Sequence, residues 1–277
     1  MTNLFTRAAR VLIGKPGTTG LIVENLRVKF SIQKTSESAA NSALINVYNL
    51  KPESRAFVEN TGLNITLQVG YTGTGPEDGL IENIFTGDIF RAATEKQDQD
   101  IVTCFECLDG GLALKTATVN TSFSGGKTRA AVVDYLAREL AMAHGLSYNK
   151  LSIADSSQFV NGITLVGPVK QHLDTIVPTL GLVWYIRDGE VIITSPKNMD
   201  LPGAVLVSKD TGMIGIPVKR EQGLELTSLL NPRIRPGSTI QVVSVESAKL
   251  NGYYHVERAN YEGDTLEGNW EVKVEAL

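Results

Sequence analysis

Leu63-Asn64-Ile65-Thr66-Leu67-Gln68-Val69-Gly70-Tyr71 decides the fold class, because apolar and polar side chains alternate through it without a break. Successive side chains of an extended chain point to opposite faces, so this period of two predicts a strand with one buried and one wet face. The same alternation appears upstream. Leu26, Val28, Phe30 and Ile32 share one face, against Arg27, Lys29, Ser31 and Gln33 on the other, and Ala43, Ile45 and Val47 mark a third strand ending in Tyr48-Asn49-Leu50. Gly14-Lys15-Pro16-Gly17-Thr18-Thr19-Gly20 and Thr72-Gly73-Thr74-Gly75-Pro76-Glu77-Asp78-Gly79 carry the residues that tight reversals need. Residues 52–60 read as one short crossing helix. Short strands with frequent turns, ending near Asp109-Gly110-Gly111, predict a small antiparallel barrel or sandwich.

The period changes at Lys127. Val132, Val133, Leu136, Ala137, Leu140 and Ala141 recur at three-and-four spacing between Thr128 and His144, and Gly145 follows as a left-handed cap. A second amphipathic helix starts at Pro168, carries Val169, Leu173, Ile176, Val177 and Leu180, and closes at Gly181, with Pro178 tightening its last turn. Asp188-Gly189 between Leu182-Val183-Trp184-Tyr185-Ile186-Arg187 and Glu190-Val191-Ile192-Ile193-Thr194 predicts a hairpin with a type I′ turn. Residues 125–198 therefore read as an α+β insert. Strand periodicity resumes after Pro202, with Ile240, Val242, Tyr254, Val256, Trp270, Val272 and Val274 inward and Glu271, Lys273 and Glu275 outward. Periodicity alone leaves residues 112–124 open between the first β unit and this last one.

Composition narrows the function classes. The chain has 277 residues, 42% of them hydrophobic and 20% charged, which is ordinary globular composition. A net charge of −4 lacks the basic excess that holding nucleic acid by its phosphates requires. No run approaches the roughly 18 apolar residues of a membrane span, and the amino end lacks the apolar core of a secretory signal, so a soluble protein is expected.

Sites of chemistry are not expected either. Cys104 and Cys107 lie on a predicted strand, where positions three apart point to opposite faces and cannot chelate together. His144, His172 and His255 are scattered and unpaired at metal-ligand spacing, so no metal is predicted. Ser124-Gly125-Gly126-Lys127-Thr128 resembles the end of a phosphate loop, yet Thr121 stands where the further glycine belongs, and no cofactor is predicted. No nucleophile elbow appears, and Asp88, Asp109 and Asp264 sit beside glycines as turn residues do. Tyr48, Tyr71, Trp184 and Trp270 lie on strands, where core or interface burial is expected before sugar stacking. The sequons at Asn64 and Asn120 carry no meaning without a secretory signal.

Several stretches together resemble the baseplate hub family of contractile-tailed phages, of which the T-even hub is the familiar relative. Leu44-Ile45-Asn46-Val47-Tyr48-Asn49-Leu50, Phe85-Thr86-Gly87-Asp88-Ile89 and Cys107-Leu108-Asp109-Gly110 are similar to landmarks of its first barrel. Leu229-Leu230-Asn231-Pro232-Arg233-Ile234-Arg235-Pro236-Gly237 and Asn251-Gly252-Tyr253-Tyr254-His255-Val256, with Gly263-Asp264 and Gly268-Asn269-Trp270, are similar to its closing strands. The resemblance implies a mainly β protein with two tube-like antiparallel β-barrel domains and a small α/β domain between them. Residues 1–111 would be the first barrel, 125–198 the insert, and 199–277 with 112–124 the second barrel. It further implies a structural, non-enzymatic homotrimer whose ring joins the hexameric tail tube to the trimeric central spike. Tail tube protein, central spike protein, baseplate wedge proteins and the tape-measure protein would be its partners. DNA would pass through a neutral or mildly acidic lumen without specific binding. The location would be the virion's tail baseplate, assembled in the host cytoplasm. A tail-tip cell-wall hydrolase and a receptor- or carbohydrate-binding module are the alternatives, although no lysozyme or peptidase segment is legible.

Overall fold

The structure is a computed structural model that describes residues 6–15, 20–59, 62–72, 81–149, 156–196 and 203–277. Most of both glycine-rich turns, and Pro202, lie outside those residues. The chain divides into two compact units: Met1–Thr35 with Ser42–Leu108 and Met199–Leu277, and Ser36–Asn41 with Asp109–Asn198.

The first unit begins with β1 (Arg7–Gly14), β2 (Leu21–Val23), β3 (Val28–Thr35) and β4 (Asn41–Tyr48). Next come α1 (Pro52–Val58), β5 (Asn64–Tyr71), β6 (Ile81–Gln97) and β7 (Asp100–Asp109). The expected alternation is present: Val28, Phe30 and Ile32 are buried, as are Ile65, Leu67 and Val69, while the residues between them stay at least partly exposed. Pro52 sits in the first turn of α1, where its missing amide costs nothing. Cys104 and Cys107 fall on opposite faces of β7, Cys107 in the core and Cys104 half-buried. Burial pushes both thiols above their usual range, so neither is a ready nucleophile.

The second unit contains α2 (Gly111–Thr116), β8 (Thr118–Phe123), β9 (Lys127–Thr128), α3 (Arg129–Ala143), β10 (Ser147–Tyr148) and β11 (Gln158–Phe159). It continues through β12 (Ile163–Pro168), α4 (Val169–Ile176), β13 (Val183–Arg187) and β14 (Glu190–Thr194). Both expected helices are present with their stripes buried, apart from Leu180, which is half-buried in the turn that follows α4. Pro178 lies in a 3₁₀ turn after α4, and Gly181 ends that turn at φ 68°. Asp188 and Gly189 take φ 53° and 79°, as a type I′ turn requires.

Residues 112–124 depart from the expectation that they join the closing barrel. β8 pairs antiparallel with β12 from Thr118↔Pro168 to Phe123↔Ile163, within the second unit. Thr118-Val119-Asn120-Thr121-Ser122-Phe123 alternates like any half-buried strand, so nothing local reveals which edge it meets.

Asp109 organises this unit. Its side chain is fully buried; Oδ2 accepts from the Asp188 amide at 2.6 Å and Oδ1 from the Gly189 amide at 3.0 Å. Asn41 Nδ2 donates to the same carboxylate at 3.3 Å and to the Ile186 carbonyl at 2.8 Å. The adjacent Gly110 holds φ 66° with Ile186 Cδ1 2.5 Å from where a Cβ would stand, so a side chain there collides.

The first unit resumes with β15 (Val205–Ser208), β16 (Met213–Lys219), β17 (Leu224–Leu229), β18 (Thr239–Val243), β19 (Gly252–Asp264) and β20 (Trp270–Ala276). Its strands form one sheet in the order β16-β17-β20-β19-β3-β4-β7-β6-β5-β1-β2, with β18 branching from β19 and β15 pairing parallel to β18. The protein is mainly β and its long ladders are antiparallel, as expected. Among the described residues no ladder closes the strand path into a barrel, and strands from both sequence spans share the sheet through β3 and β19. No described helix is long and apolar enough to cross a membrane.

Replacing Asp109 by alanine strands two backbone amides and the Asn41 amide, and is expected to cost roughly 2–3 kcal/mol in denaturant unfolding; an unchanged midpoint would show that the carboxylate does not hold the hairpin.

Candidate functional site: a polar sheet face and two open edges

Cross-strand register sets two kinds of row side by side. Met213, Ser228, Val272, Tyr261, Ile32 and Ala43 follow one another across β16, β17, β20, β19, β3 and β4, and all are buried. One residue along, the row is Ile214, Thr227, Lys273, Asn260, Gln33 and Ser42, and none is buried. The sheet therefore has a core face and a wet face, as the period of two requires.

The wet face is ion-paired across strands. Lys273 Nζ lies 2.8 Å from Glu225 Oε1, Arg220 reaches the same carboxylate, and Arg258 lies 3.8 Å from Glu275. Glu262 and Glu271 stand opposite each other on β19 and β20, and Asn269 donates to Glu262 at 3.1 Å. On these strands and their ends the carboxylates Glu225, Glu262, Asp264, Glu271 and Glu275 are balanced by Arg27, Lys29, Arg220, Arg258 and Lys273. Exposed pairs of this kind contribute at most about 1 kcal/mol each. Their main consequence is the charge of the face, which is close to neutral over these residues.

At one end of the face, Arg27 Nη2 meets Asp264 Oδ2 at 2.7 Å and Glu267 Oε1 at 2.8 Å, and its guanidinium lies 4.7 Å over the Tyr48 ring. Hydrogen bonding to Asp264, against an opposing cost of burial, raises the Arg27 pKa further. Burial pushes the Asp264 carboxyl up, but hydrogen bonds from Arg27 and the Leu266 amide outweigh it and hold the group below the usual carboxylate range. Arg7 donates to the carbonyls of Asp264 and Gly268 at 2.8 Å, fixing the turn between β19 and β20. Beneath it, Trp270 packs edge-on to Phe30 at 5.4 Å and to Tyr71 at 6.4 Å. Gly263 lies between them, 2.3 Å from Phe30 and 2.8 Å from Trp270 at its missing Cβ, so only glycine fits. Burial, partly offset by Arg7, pushes the Tyr71 hydroxyl up to about 12.

The residues weighed for chemistry are dispersed. His144 ends α3 and its Nε2 lies 2.6 Å from Thr116 Oγ1; His172 Nε2 lies 3.2 Å from the Val166 carbonyl. His255 is buried on β19, which lowers its pKa. Lys127 sits in β9, paired antiparallel with β11, with its ammonium 6.0 Å over the Phe123 ring. Thr128 Oγ1 accepts from the Ala131 amide as the cap of α3, so this glycine-containing loop connects a hairpin to a helix. Among the described residues no group of three or more His, Cys, Asp or Glu is placed to hold a metal ion. Tyr71, Trp184 and Trp270 are buried, and Tyr48 lies under Arg27. Two open grooves of about 500 and 590 Å³ flank Arg27, and neither is lined by histidine or cysteine.

The sequence model of the baseplate hub gp41 family matches residues 9–275. The chain belongs to that family. Several solved structures share the fold at low identity. A tail protein of prophage MuSo2 from Shewanella oneidensis is 11% identical, with TM-score 0.63 over 97% of this chain and 98% of that one. A tail protein from Neisseria meningitidis is 11% identical, with TM-score 0.64 over 98% and 96%. An Escherichia coli component of the type VI secretion system, described as similar to the T4 tail proteins gp27 and gp5, is 11% identical, with TM-score 0.61 over 96% and 76%. No curated protein matches the sequence. Membership makes this a phage tail baseplate protein, as its strand and turn landmarks implied. Asp264 and Asp109 were legible only as turn residues; their anchoring roles depend on partners 237 and 79 residues distant.

The depressed Asp264 pKa stabilises the fold above the unfolded carboxylate value of 3.8 and ceases to do so as pH falls through the folded value. Asp264→Asn should lower the melting temperature at pH 7 and flatten its decline below about pH 4; a parallel decline in both proteins would count against the Arg27 pair.

Proposed function

We propose that this chain is a structural hub subunit that works by assembly and not by catalysis. Three copies form a ring in the tail baseplate. Within each copy the spans before and after the insert act as two tube-like modules, so three chains present six similar faces. Such a ring matches a hexameric tail tube on one side and a trimeric central spike on the other, with wedge proteins around it and the tape-measure protein at the bore. The similarity to a secretion component described as resembling gp27 and gp5 supports a position between tube and spike.

The observation that carries this reading is the polar, ion-paired sheet face on a chain of hub family. A ring that conducts DNA needs a bore that does not retain phosphate. Cations already bound to neighbouring carboxylates leave no basic stripe for phosphates to replace counterions on. Catalysis would need a nucleophile, base and orienting group within hydrogen-bond reach, whereas the histidines here occupy a helix end, a helix face and a buried strand position. Assembly in the host cytoplasm fits two unpaired cysteines with raised thiol pKa values.

Native mass measurement of the purified chain should give three copies, and the complex should co-sediment with tail tube subunits. A stable single copy that ignores tube protein would overturn the reading. Duplex DNA at low salt should pass over the immobilised assembly without retention; retention that falls steeply with added salt would contradict a neutral to acidic bore.

A further inference from the structure

Two asparagines in the chain precede a glycine, in Asn161-Gly162 and Asn251-Gly252. This dipeptide carries its own chemistry. Once the glycine amide loses its proton, its nitrogen attacks the asparagine Cγ; a C–N bond forms, the side-chain nitrogen leaves as ammonia, and a five-membered succinimide remains. Water then opens the ring at either carbonyl. One opening gives aspartate, and the other gives isoaspartate, whose main chain runs through the former side chain. Glycine makes the attack easy because no side chain crowds its nitrogen. In a folded chain, the bonds that hold the side-chain amide and the next backbone nitrogen decide whether the two meet.

Asn251 is held at both places. Its Oδ1 accepts from the Ser244 amide at 2.7 Å, its backbone is extended at ψ 133°, and Gly252 stands in register opposite Val242 in the β18–β19 ladder. Asn161 is far less restrained. It is exposed in the turn between β11 and β12, and its side chain makes no hydrogen bond among the described residues. Gly162 lies outside the ladders, since β11 ends at Phe159 and β12 starts at Ile163. Its amide donates to the Phe159 carbonyl at 3.3 Å, longer than the usual length of about 2.9 Å.

We propose that Asn161 is a site of spontaneous modification in the folded protein, converting to aspartate and isoaspartate, while the fold spares Asn251. The reaction consumes only water and releases ammonia. Its isoaspartate product adds one carbon to the main chain where there is no spare room. Turn and loop meet here backbone to backbone: a Cβ on Gly162 would stand 2.5 Å from the Phe123 carbonyl oxygen, and one on Gly125 would stand 2.4 Å from the Val160 carbonyl oxygen. The same turn leads into the β8–β12 ladder at Phe123↔Ile163 and follows the β9–β11 pair, whose Thr128 caps α3. Conversion to isoaspartate therefore loosens the start of β12 and leaves the distant first-unit sheet unaltered.

Peptide mapping tests the assignment. The folded full chain is kept warm for days at mildly alkaline pH and digested with trypsin, and the peptides spanning residues 151–170 and 250–258 are compared by mass for the change from amide to acid. The first should convert roughly tenfold faster than the second or more, because freeing Gly252 requires the ladder to open. In denaturant the two should convert at similar rates. An isoaspartate methyltransferase should label the aged wild type and leave aged Asn161→Gln unlabelled. Hydrogen exchange at Phe123 and Ile163 should quicken as the wild type ages, but not in freshly prepared Asn161→Asp, which carries the charge without the extra main-chain carbon. Equal conversion of both peptides in the folded chain, or conversion of Asn161 in denaturant alone, would overturn the site. Unchanged exchange in converted protein would overturn the loosening.

Discussion

The ladder between β3 and β19 is the constraint on which the first unit depends. It pairs Thr35 with Arg258 through to Lys29 with Asp264, joining segments more than 200 residues apart in sequence. Bringing such distant segments together has a large entropic cost, and local turn preferences cannot meet it. What offsets it is burial along the core row, where Ile32, Tyr261 and Val272 pack, and at the aromatic end, where Trp270 closes over Phe30 and Tyr71. Burying one such aromatic stabilises by roughly 3 kcal/mol or more, against at most about 1 for an exposed ion pair. The apolar face therefore holds the ladder together, and the charged face is free to be shaped by what it meets.

That division explains how one strand pattern yields a function. Because the side-chain period is two, every residue that strengthens the core places its neighbour on the wet face. Lys273 and Asn260 are outward because Val272 and Tyr261 are inward. Cross-strand pairing then neutralises Arg220, Arg258 and Lys273, and among the described residues that face carries no basic stripe. On the proposed reading, a hub built this way acts through shape and charge spread over many residues.

Much of the fold was legible in local pattern, and the unreadable parts share a cause. The Asp188-Gly189 hairpin, the stripe of α3 and the 3₁₀ turn at Pro178 depend on residues within a few positions of one another, and sequence spacing encodes them directly. The membership of residues 112–124 depends instead on the distant β12, and alternation states that a strand has two faces without naming its neighbours. Arg27 and Gln68 looked alike as outward polar residues. Yet Arg27 is consumed by Asp264 at the far end of the chain, while Gln68 meets Asn83 on the adjacent strand at 2.7 Å. The resemblance to hub proteins supplied the order of landmarks that physics alone could not. It also suggested two distinct barrels, where the described ladders show one sheet continuous across β3 and β19.

The most direct measurement is a reconstruction of the isolated assembly by electron microscopy at a resolution that separates strands. This account predicts three copies around a bore, six similar sheet faces, and Lys273, Asn260 and Gln33 turned toward the channel. A particle with no bore, or one in which that face is buried against a neighbour, would contradict it.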